Sequence, residues 1–329
     1  MLGTLLDKMS GFFDQRFMIA YWTPTFIGLC LMLGLAGVLF GPVAAFSWWV
    51  KLDGPEQVLL GAGALLVSIL LSYQLVALTI PLVRLYEGYW PEGPLTRLAR
   101  NCQKKALKRA NDSRSRYNNF PRDAQLLRPT RLGNLLAAAE EYPYELYRLD
   151  AVVWWPRLVT LLPETFRTQV DTAITPMLTM LNLSMILSLL TCLGGALFLA
   201  VQYWSLCVVM CIGGLFIARL CYIAAVTQAE DYSVLVRVAF DLYRHEMLKQ
   251  MHIPVPDNLV EERRLWLSLN PWIDQYKPPW EADNAPRPAP FYYDMHYTTT
   301  STVHSQEIPF DSKELPLQNL KDTGIEKGS

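Results

Sequence analysis

The sequence predicts an all-α fold, with four transmembrane helices in two hairpins and a helical cytoplasmic domain. The first observation behind this prediction is composition, because hydrophobic residues make up 52% of the 329 residues and charged residues only 18%. The second is that positions 17–50, 57–83 and 172–218 contain no Asp, Glu, Lys or Arg. The third is that lysine and arginine are concentrated between the second and third of these stretches.

The length of each charge-free stretch indicates how many times it crosses the bilayer. A helix needs about 20 apolar residues to do so, so the first two stretches each predict one span and the third predicts two. The third stretch is interrupted at 201–205, where polar and aromatic residues typical of a membrane interface stand together. The predicted spans are residues 20–46, 57–82, 177–201 and 205–226.

The distribution of basic residues predicts the orientation of the spans. Residues 84–171 contain fifteen lysines and arginines, whereas the loop at 48–56 contains only Lys51 and the turn at 202–205 contains none. The positive-inside rule therefore predicts that the middle segment and both termini lie in the cytoplasm.

Six parts follow from this topology. They are an interfacial N-terminal helix (1–17), a first transmembrane hairpin (18–83), a cytoplasmic helical domain (84–176), a second hairpin (177–226), cytoplasmic helices that pack on that domain (227–270) and a Pro-rich, largely disordered tail (271–329). Packing of the first helix on the cytoplasmic domain is an alternative. Thr130 is a helix start signal, whereas Pro143, Pro156 and Pro163 predict breaks between short helices.

Four passages resemble a family of uncharacterised bacterial multi-pass membrane proteins. They are "DQRFMIAYWTPTF", "RLYEGYWP", "PTRLGNLLAAAEEYPYELYRLDAVVWWPRLVTLLPE" and "YSVLVRVAFDLYRHEML", and together they cover most of residues 14–270. The resemblance implies a bacterial cytoplasmic membrane. It implies no activity, cofactor or catalytic residue.

The sequence carries no recognised catalytic motif. It contains no GxSxG, P-loop or GxGxxG pattern, and its four histidines lack metal-ligand spacing. We therefore expect no enzyme activity, no cofactor and no metal site. Glu140, Glu141, Glu145 and Asp150 could act as paired acids only if two of them lay about 5 to 10 Å apart across a cleft. Salt bridges to nearby arginines are the alternative explanation of these acids.

Acids and aromatics are unusually dense between positions 131 and 158. Such a mixture is typical of a surface that docks a partner or ligand, as well as of a small structural domain. The candidate docking or ligand surface comprises Arg131, Asn134, Glu140, Glu141, Tyr147, Asp150, Trp154, Trp155 and Arg157.

Two further groups of basic residues are candidates for contacts at the membrane. Arg219 lies near the cytoplasmic end of the fourth predicted span, where it either reaches the headgroups or lines the inner mouth of an oligomeric pore. The basic cluster of Lys104, Lys105, Lys108 and Arg109 contacts anionic lipid or serves topology alone. We expect a homo-oligomer, with an unidentified protein partner and no nucleic acid.

Three functions are consistent with these features. The first is a non-enzymatic membrane scaffold or sensor whose cytoplasmic domain binds a partner or ligand. The second is an oligomeric ion or small-solute channel gated by that domain. The third is a membrane-associated enzyme acting on lipid through the acidic residues.

Overall fold

The computed structural model describes residues 15–110 and 113–275, and within these ranges the regular structure is entirely helical. The first six helices are α1 (Gln15–Phe40), α2 (Pro42–Lys51), α3 (Gly54–Ala77), α4 (Thr79–Glu87), α5 (Pro94–Arg109) and α6 (Ser113–Asn119). The remaining five are α7 (Arg131–Tyr147), α8 (Ala151–Leu161), α9 (Glu164–Ala200), α10 (Trp204–Gln250) and α11 (Leu259–Gln275). Most of the predicted N-terminal helix and most of the predicted tail lie outside the described residues.

Four of these helices, α1, α3, α9 and α10, are long and apolar enough to cross a membrane. The predicted number of candidate spans is therefore confirmed, although their limits differ from those predicted. Helix α1 ends at Phe40 because Gly41 adopts a φ of +91° and Pro42 starts a new helix. Helices α9 and α10 continue well beyond the apolar stretches, to Glu164 and Gln250 respectively.

Helix α1 contains a π-helical turn at Met18–Trp22. Pro24 follows it and has no N–H group to donate to the Ala20 carbonyl four residues earlier. The buried Asn182 of α9 supplies the missing donor, because its Nδ2 lies 2.7 Å from the Ala20 oxygen. This interaction fixes α1 against α9 at one register.

Polar side chains of the apolar helices also bond to neighbouring helices. Trp22 Nε1 donates to Ser68 Oγ at 3.1 Å, which connects α1 to α3. Tyr86 Oη donates to Ser184 Oγ at 3.0 Å, and Ser184 Oγ donates to the Ala218 carbonyl at 2.9 Å. These groups therefore contribute to helix packing, where a bilayer provides no water to satisfy them.

Helices α9 and α10 approach closely at Gly214. A Cβ atom at this position would overlap the hydroxyl of Thr191, whereas one at Gly213 would meet nothing within 4 Å. On the facing helix, Gly194 and Gly195 are also closely approached, by Met210 and Cys211 of α10.

A second hydrophobic core lies where the candidate spans end and the charged segments begin. We call the structure around it the aromatic module, formed by α7, α8, α11 and residues 230–250 of α10. Trp154 and Trp266 are fully buried and meet edge to face, with ring centroids 5.0 Å apart. Trp154 Nε1 also donates to Asn270 Oδ1 at 2.8 Å, so the indole's polar group is satisfied inside the core.

Two of the predicted helix breaks are wrong. Pro143 lies inside α7 and Pro156 lies inside α8, and both helices continue through them. Packing of the surrounding apolar side chains outweighs the lost backbone hydrogen bond at each site. Thr130 does begin α7, because its Oγ1 accepts a hydrogen bond from the Gly133 N–H at 3.0 Å.

The aromatic module and the candidate spans share buried contacts. Leu132 of α7 packs in one cluster with Ala20 of α1, Leu181 of α9, and Ala225 and Ala229 of α10, all at most 2% exposed. Leu75 of α3 belongs to the same cluster, so α7 shares this buried core with residues of all four helices that contain candidate spans.

Candidate functional site

Several members of the predicted docking surface hold the chain together internally. Asn134 is fully buried, and its Oδ1 accepts from the Arg128 N–H at 2.7 Å. Its Nδ2 donates to the Arg128 carbonyl at 3.1 Å and to Gln103 Oε1 at 3.3 Å. Asn134 thus closes the loop that precedes α7.

The acids between positions 131 and 158 also have local partners. Glu141 accepts hydrogen bonds from the backbone N–H groups of Arg122 (2.5 Å) and Asp123 (3.0 Å). Glu145 pairs with the Arg122 guanidinium at 3.0 Å. Asp150 caps α8 by accepting from the Val152 N–H at 2.9 Å. Participation of these acids in lipid chemistry stays a prediction.

Tyr147 belongs to a network around Asp241 of α10. Tyr147 Oη donates to Asp241 Oδ1 at 2.8 Å, and Tyr142 Oη donates to Asp241 Oδ2 at 2.9 Å. Burial, followed by the hydrogen bond to Asp241, raises the pKa of Tyr142 to about 12. The guanidinium of Arg244 lies 3.9 Å from the centre of the Tyr147 ring.

The remaining members divide between core and surface. Trp154 is buried, and the ring of Trp155 lies 5.9 Å from that of Phe240. The exposed members are Arg131, Glu140 and Arg157. Arg131 pairs with Glu230 at 3.6 Å. Docking of a partner or ligand by the exposed members stays a prediction.

A cavity of about 170 Å³ opens between α6, α7 and α10. Glu141 is the one residue of the predicted surface that lines it. Its lining residues are Tyr117, Asn118, Phe120, Arg122, Ala138, Glu141, Tyr142, Glu145, Leu146 and Arg237. Drug-sized ligands usually occupy about 300 to 1,000 Å³, so this cavity suits a smaller molecule or one chemical group of a larger one.

Arg237 is the cavity's distinctive residue. Its two terminal nitrogens donate to Asn118, one to Oδ1 at 2.7 Å and the other to the carbonyl oxygen at 2.9 Å. Both acceptors are neutral, and no carboxylate of the described residues forms an ion pair with this guanidinium. The Nε atom is buried without a hydrogen-bond partner there, and the Tyr142 ring centre lies 5.7 Å from the guanidinium carbon.

These features make the cavity suitable for a small anion. On its wall, Glu145 pairs with the Arg122 guanidinium and Glu141 accepts from the backbone N–H groups of Arg122 and Asp123, whereas Arg237 forms no ion pair with a described acid. Aromatic rings of Tyr117 and Phe120 complete the lining. An arginine with a free donor is a typical binding group for a carboxylate or phosphate.

Our sequence-based prediction did not include Arg237. The signal was present, because this arginine stands within the apolar run "VLVRVAF" on a helix. A charged residue in such a run is almost never buried without a specific role. Its partner Asn118 is 119 positions away, and nothing local links the two.

A second titratable site joins α4 to α7. Glu87 and Glu140 approach each other there, and no described base forms an ion pair with either. Burial, followed by the charge of Glu140, raises the pKa of Glu87 to about 7. Glu140 remains at the surface, yet neighbouring protein excludes enough water to raise its pKa as well.

We expect Glu87→Gln to flatten the pH dependence of stability between pH 4.5 and 7. The folded pKa lies above the ordinary value of 4.5, so the folded state retains a proton that the unfolded state has already lost. Wild-type stability should therefore fall as the pH rises through this window, and the variant should be the more stable protein above it. Thermal unfolding midpoints of the detergent-purified protein across this pH range measure the difference.

Glu92→Gln is the matched control, because Glu92 is exposed and its hydrogen bond to Arg100 lowers its pKa. It should not flatten the same window. Parallel curves for Glu87→Gln and the wild type would contradict the assignment.

Arg219 is exposed on α10, with its guanidinium carbon 5.0 Å from the Tyr222 ring centre, and its place in a pore stays a prediction. Among residues 15–110 and 113–275, no group of three or more His, Cys, Asp or Glu side chains is placed to hold a metal ion.

Comparison with known proteins adds no relative. No protein-family model matches the chain, and no curated protein and no solved structure matches it either. The function is therefore inferred from the residues and their geometry.

Proposed function

We propose that this protein is a non-enzymatic membrane sensor whose aromatic module binds a small anionic ligand in the Arg237 cavity. The observation that carries the proposal is the unbalanced guanidinium of Arg237, with its enclosed and unpartnered Nε. A partly desolvated charge without a counterion destabilises a fold unless another interaction compensates it. A ligand carboxylate or phosphate supplies both the opposite charge and the missing acceptor.

The cavity is also placed to influence the candidate spans. Arg237 lies on α10, whose 47 residues extend for about 70 Å without interruption. The same helix contains the apolar segment long enough to cross a membrane. Ligand binding at Arg237 therefore acts on a rigid element that continues into the membrane.

The proposal includes the location and assembly of the protein. We place it in a bacterial cytoplasmic membrane, as the resemblance implies. We place both termini and the aromatic module in the cytoplasm, on the basis of the basic residues in segment 84–171. We further propose that it forms a homo-oligomer, in which the module transmits ligand binding to a partner. Cross-linking of the protein in native membranes would reveal the subunit number.

Substitution of Arg237 tests the proposed ligand class. Acetate, succinate and inorganic phosphate are titrated against the full-length protein in detergent at constant ionic strength, with chloride as the reference anion. At least one of these probes should raise the thermal unfolding midpoint in a saturable manner. Arg237→Met should weaken the apparent affinity by about tenfold or more because it removes the charge-assisted hydrogen bonds, and Arg237→Lys should retain part of the response.

The control is Arg167→Met, which removes an exposed arginine of α9 while leaving the cavity intact. It should respond to the anions as the wild type does. An equal response of Arg237→Met and the wild type, or no saturable response to any of the three anions, would overturn the proposal.

A further inference from the structure

We propose that the outward face of α5 binds the anionic headgroups of the membrane that its neighbouring helices are built to cross. The outward face is defined by Leu95, Leu98, Cys102, Lys105 and Arg109, all exposed. These residues recur at helical spacing along one side of α5. The inference concerns a surface separate from the Arg237 cavity.

The charge of α5 is the first reason. The helix carries six bases and no acid. Arg100 pairs with Glu92 at 2.8 Å, and none of the other five forms an ion pair with a described residue. A helix with this excess of positive charge is complementary to anionic lipid. Positive charge alone is also explained by the positive-inside rule, so the apolar residues of α5 distinguish lipid binding from topology alone.

Two leucines occupy the same face as Lys105 and Arg109. Leu95 is 75% exposed and Leu98 is 64% exposed. A helix that faces water usually presents polar residues there, with its leucines turned towards the protein. Leucines beside lysines and arginines are typical of a helix lying in a membrane interface, where the leucines reach the acyl chains and the bases bind headgroups.

The other side of α5 is already attached to the protein. Thr96 is buried and donates from Oγ1 to the Pro91 carbonyl at 2.8 Å. Further along, Gln103 accepts a hydrogen bond from the buried Asn134. The attached side therefore leaves the leucines and bases facing outwards, and it fixes which face can meet a membrane.

The position of α5 in the chain brings this face close to the bilayer. Span helix α3 is followed by α4, and α5 begins six residues after Gly88. The connecting segment contains Tyr89, 54% exposed, and Trp90, two residue types that favour the headgroup region. A lipid surface is thus the occupant that both the charge and the neighbouring spans favour.

The test uses full-length protein in lipid nanodiscs, with a nitroxide label on Cys102 and the other five cysteines replaced. One set of discs contains phosphatidylcholine alone, and the other contains one third phosphatidylglycerol. In the anionic discs, accessibility of the label to a water-soluble nickel chelate should fall and accessibility to oxygen should rise. Salt near 1 M should weaken the effect, since it shortens the Debye length to about 3 Å.

Two variants separate the roles of charge and apolar contact. Reversal of Lys104, Lys105, Lys108 and Arg109 to Glu should abolish the dependence on phosphatidylglycerol. The pair Leu95→Gln and Leu98→Gln should keep a weaker lipid dependence and lose the rise in oxygen accessibility. A label at Glu261→Cys, exposed on α11, is the control and should not distinguish the two lipids.

Hydrogen–deuterium exchange of residues 94–109 in the unmodified protein provides the same test without cysteine replacement. Exchange in this helix should be slower in the anionic discs. The proposal is overturned if the Cys102 label and the exchange rate are unaffected by lipid charge. It is also overturned if the label is shielded from both oxygen and the chelate, because that result indicates a protein partner or a second copy on this face.

Discussion

Replacement of Glu262 by Ala is expected to lower the free energy of unfolding by about 3 to 5 kcal/mol, the usual loss when one partner of a buried ion pair is removed. Glu262 is 5% exposed and its Oε1 lies 2.7 Å from Arg244 Nε. The same oxygen is 3.2 Å from His245 Nε2 and accepts from Trp266 Nε1 at 3.3 Å. Without this carboxylate, the partly buried Arg244 loses its counterion and α11 loses its main polar contact with α10.

The pH dependence gives this prediction a second readout. Burial opposes ionisation of Glu262, but the hydrogen bond and charge of Arg244 prevail and lower its pKa. A folded pKa below the ordinary 4.5 means that the stabilisation is present above that pH and is lost as the pH falls through the folded pKa. The wild type and Glu262→Ala should therefore converge in acid. Chemical unfolding in detergent, followed by tryptophan fluorescence, measures both effects.

Glu261→Ala is the matched control, because Glu261 is the exposed neighbour on the same turn of α11. It should change stability by less than about 0.5 kcal/mol, as ordinary surface substitutions do. A similarly small effect for Glu262→Ala would show that the ion pair contributes little to the contact between α10 and α11.

Gly133→Ala is expected to destabilise the protein by about 1 to 3 kcal/mol or more through overpacking. A Cβ atom at Gly133 would overlap the carbonyl oxygen of Glu87 and lie 2.9 Å from Arg128 Cβ. The obstacle is backbone at the end of α4, which cannot rotate away as a flexible side chain can. Alanine normally stabilises a helix interior by about 0.5 to 1 kcal/mol relative to glycine, so the sign itself is diagnostic.

The control is Gly63→Ala in α3, where a Cβ atom would meet nothing within 4 Å. That variant should be neutral or more stable than the wild type. Thermal unfolding of both variants under one detergent condition compares them directly. A neutral Gly133→Ala would contradict the close crossing of α4 and α7.

The spans could be predicted from the sequence because each depends on the summed hydrophobicity of about 20 residues, and no single contact can outweigh that sum. Their limits were less predictable, since backbone and tertiary contacts decide them. The turn at Gly41 is one example, because a dipeptide signal ends α1 inside an unbroken apolar stretch. Tertiary contacts also decide helix limits outside the spans. Pro143 remains inside α7 because the surrounding side chains of that helix are buried.

The candidate site was far less predictable than the spans. Glu141 was singled out from its sequence context, and it does line the cavity, but Arg237 and Asn118 lie 119 positions apart. Only the packing of both α6 and α10 on α7 brings these two residues together. Local sequence patterns indicate which polar groups each segment contains. Which of these groups meet in the fold depends on contacts between residues far apart in the sequence.

Two of the helices that join the aromatic module to the candidate spans differ mechanically. Helix α9 contains Pro176 near the point where its apolar segment begins, and α10 contains no proline over its whole length. A proline removes one backbone hydrogen bond and makes bending easier there. Helix α9 is therefore expected to bend more easily than α10. If the module tilted, α9 would bend at Pro176 and α10 would move as one rigid helix. A movement of Arg237 would then also move the apolar segment of α10.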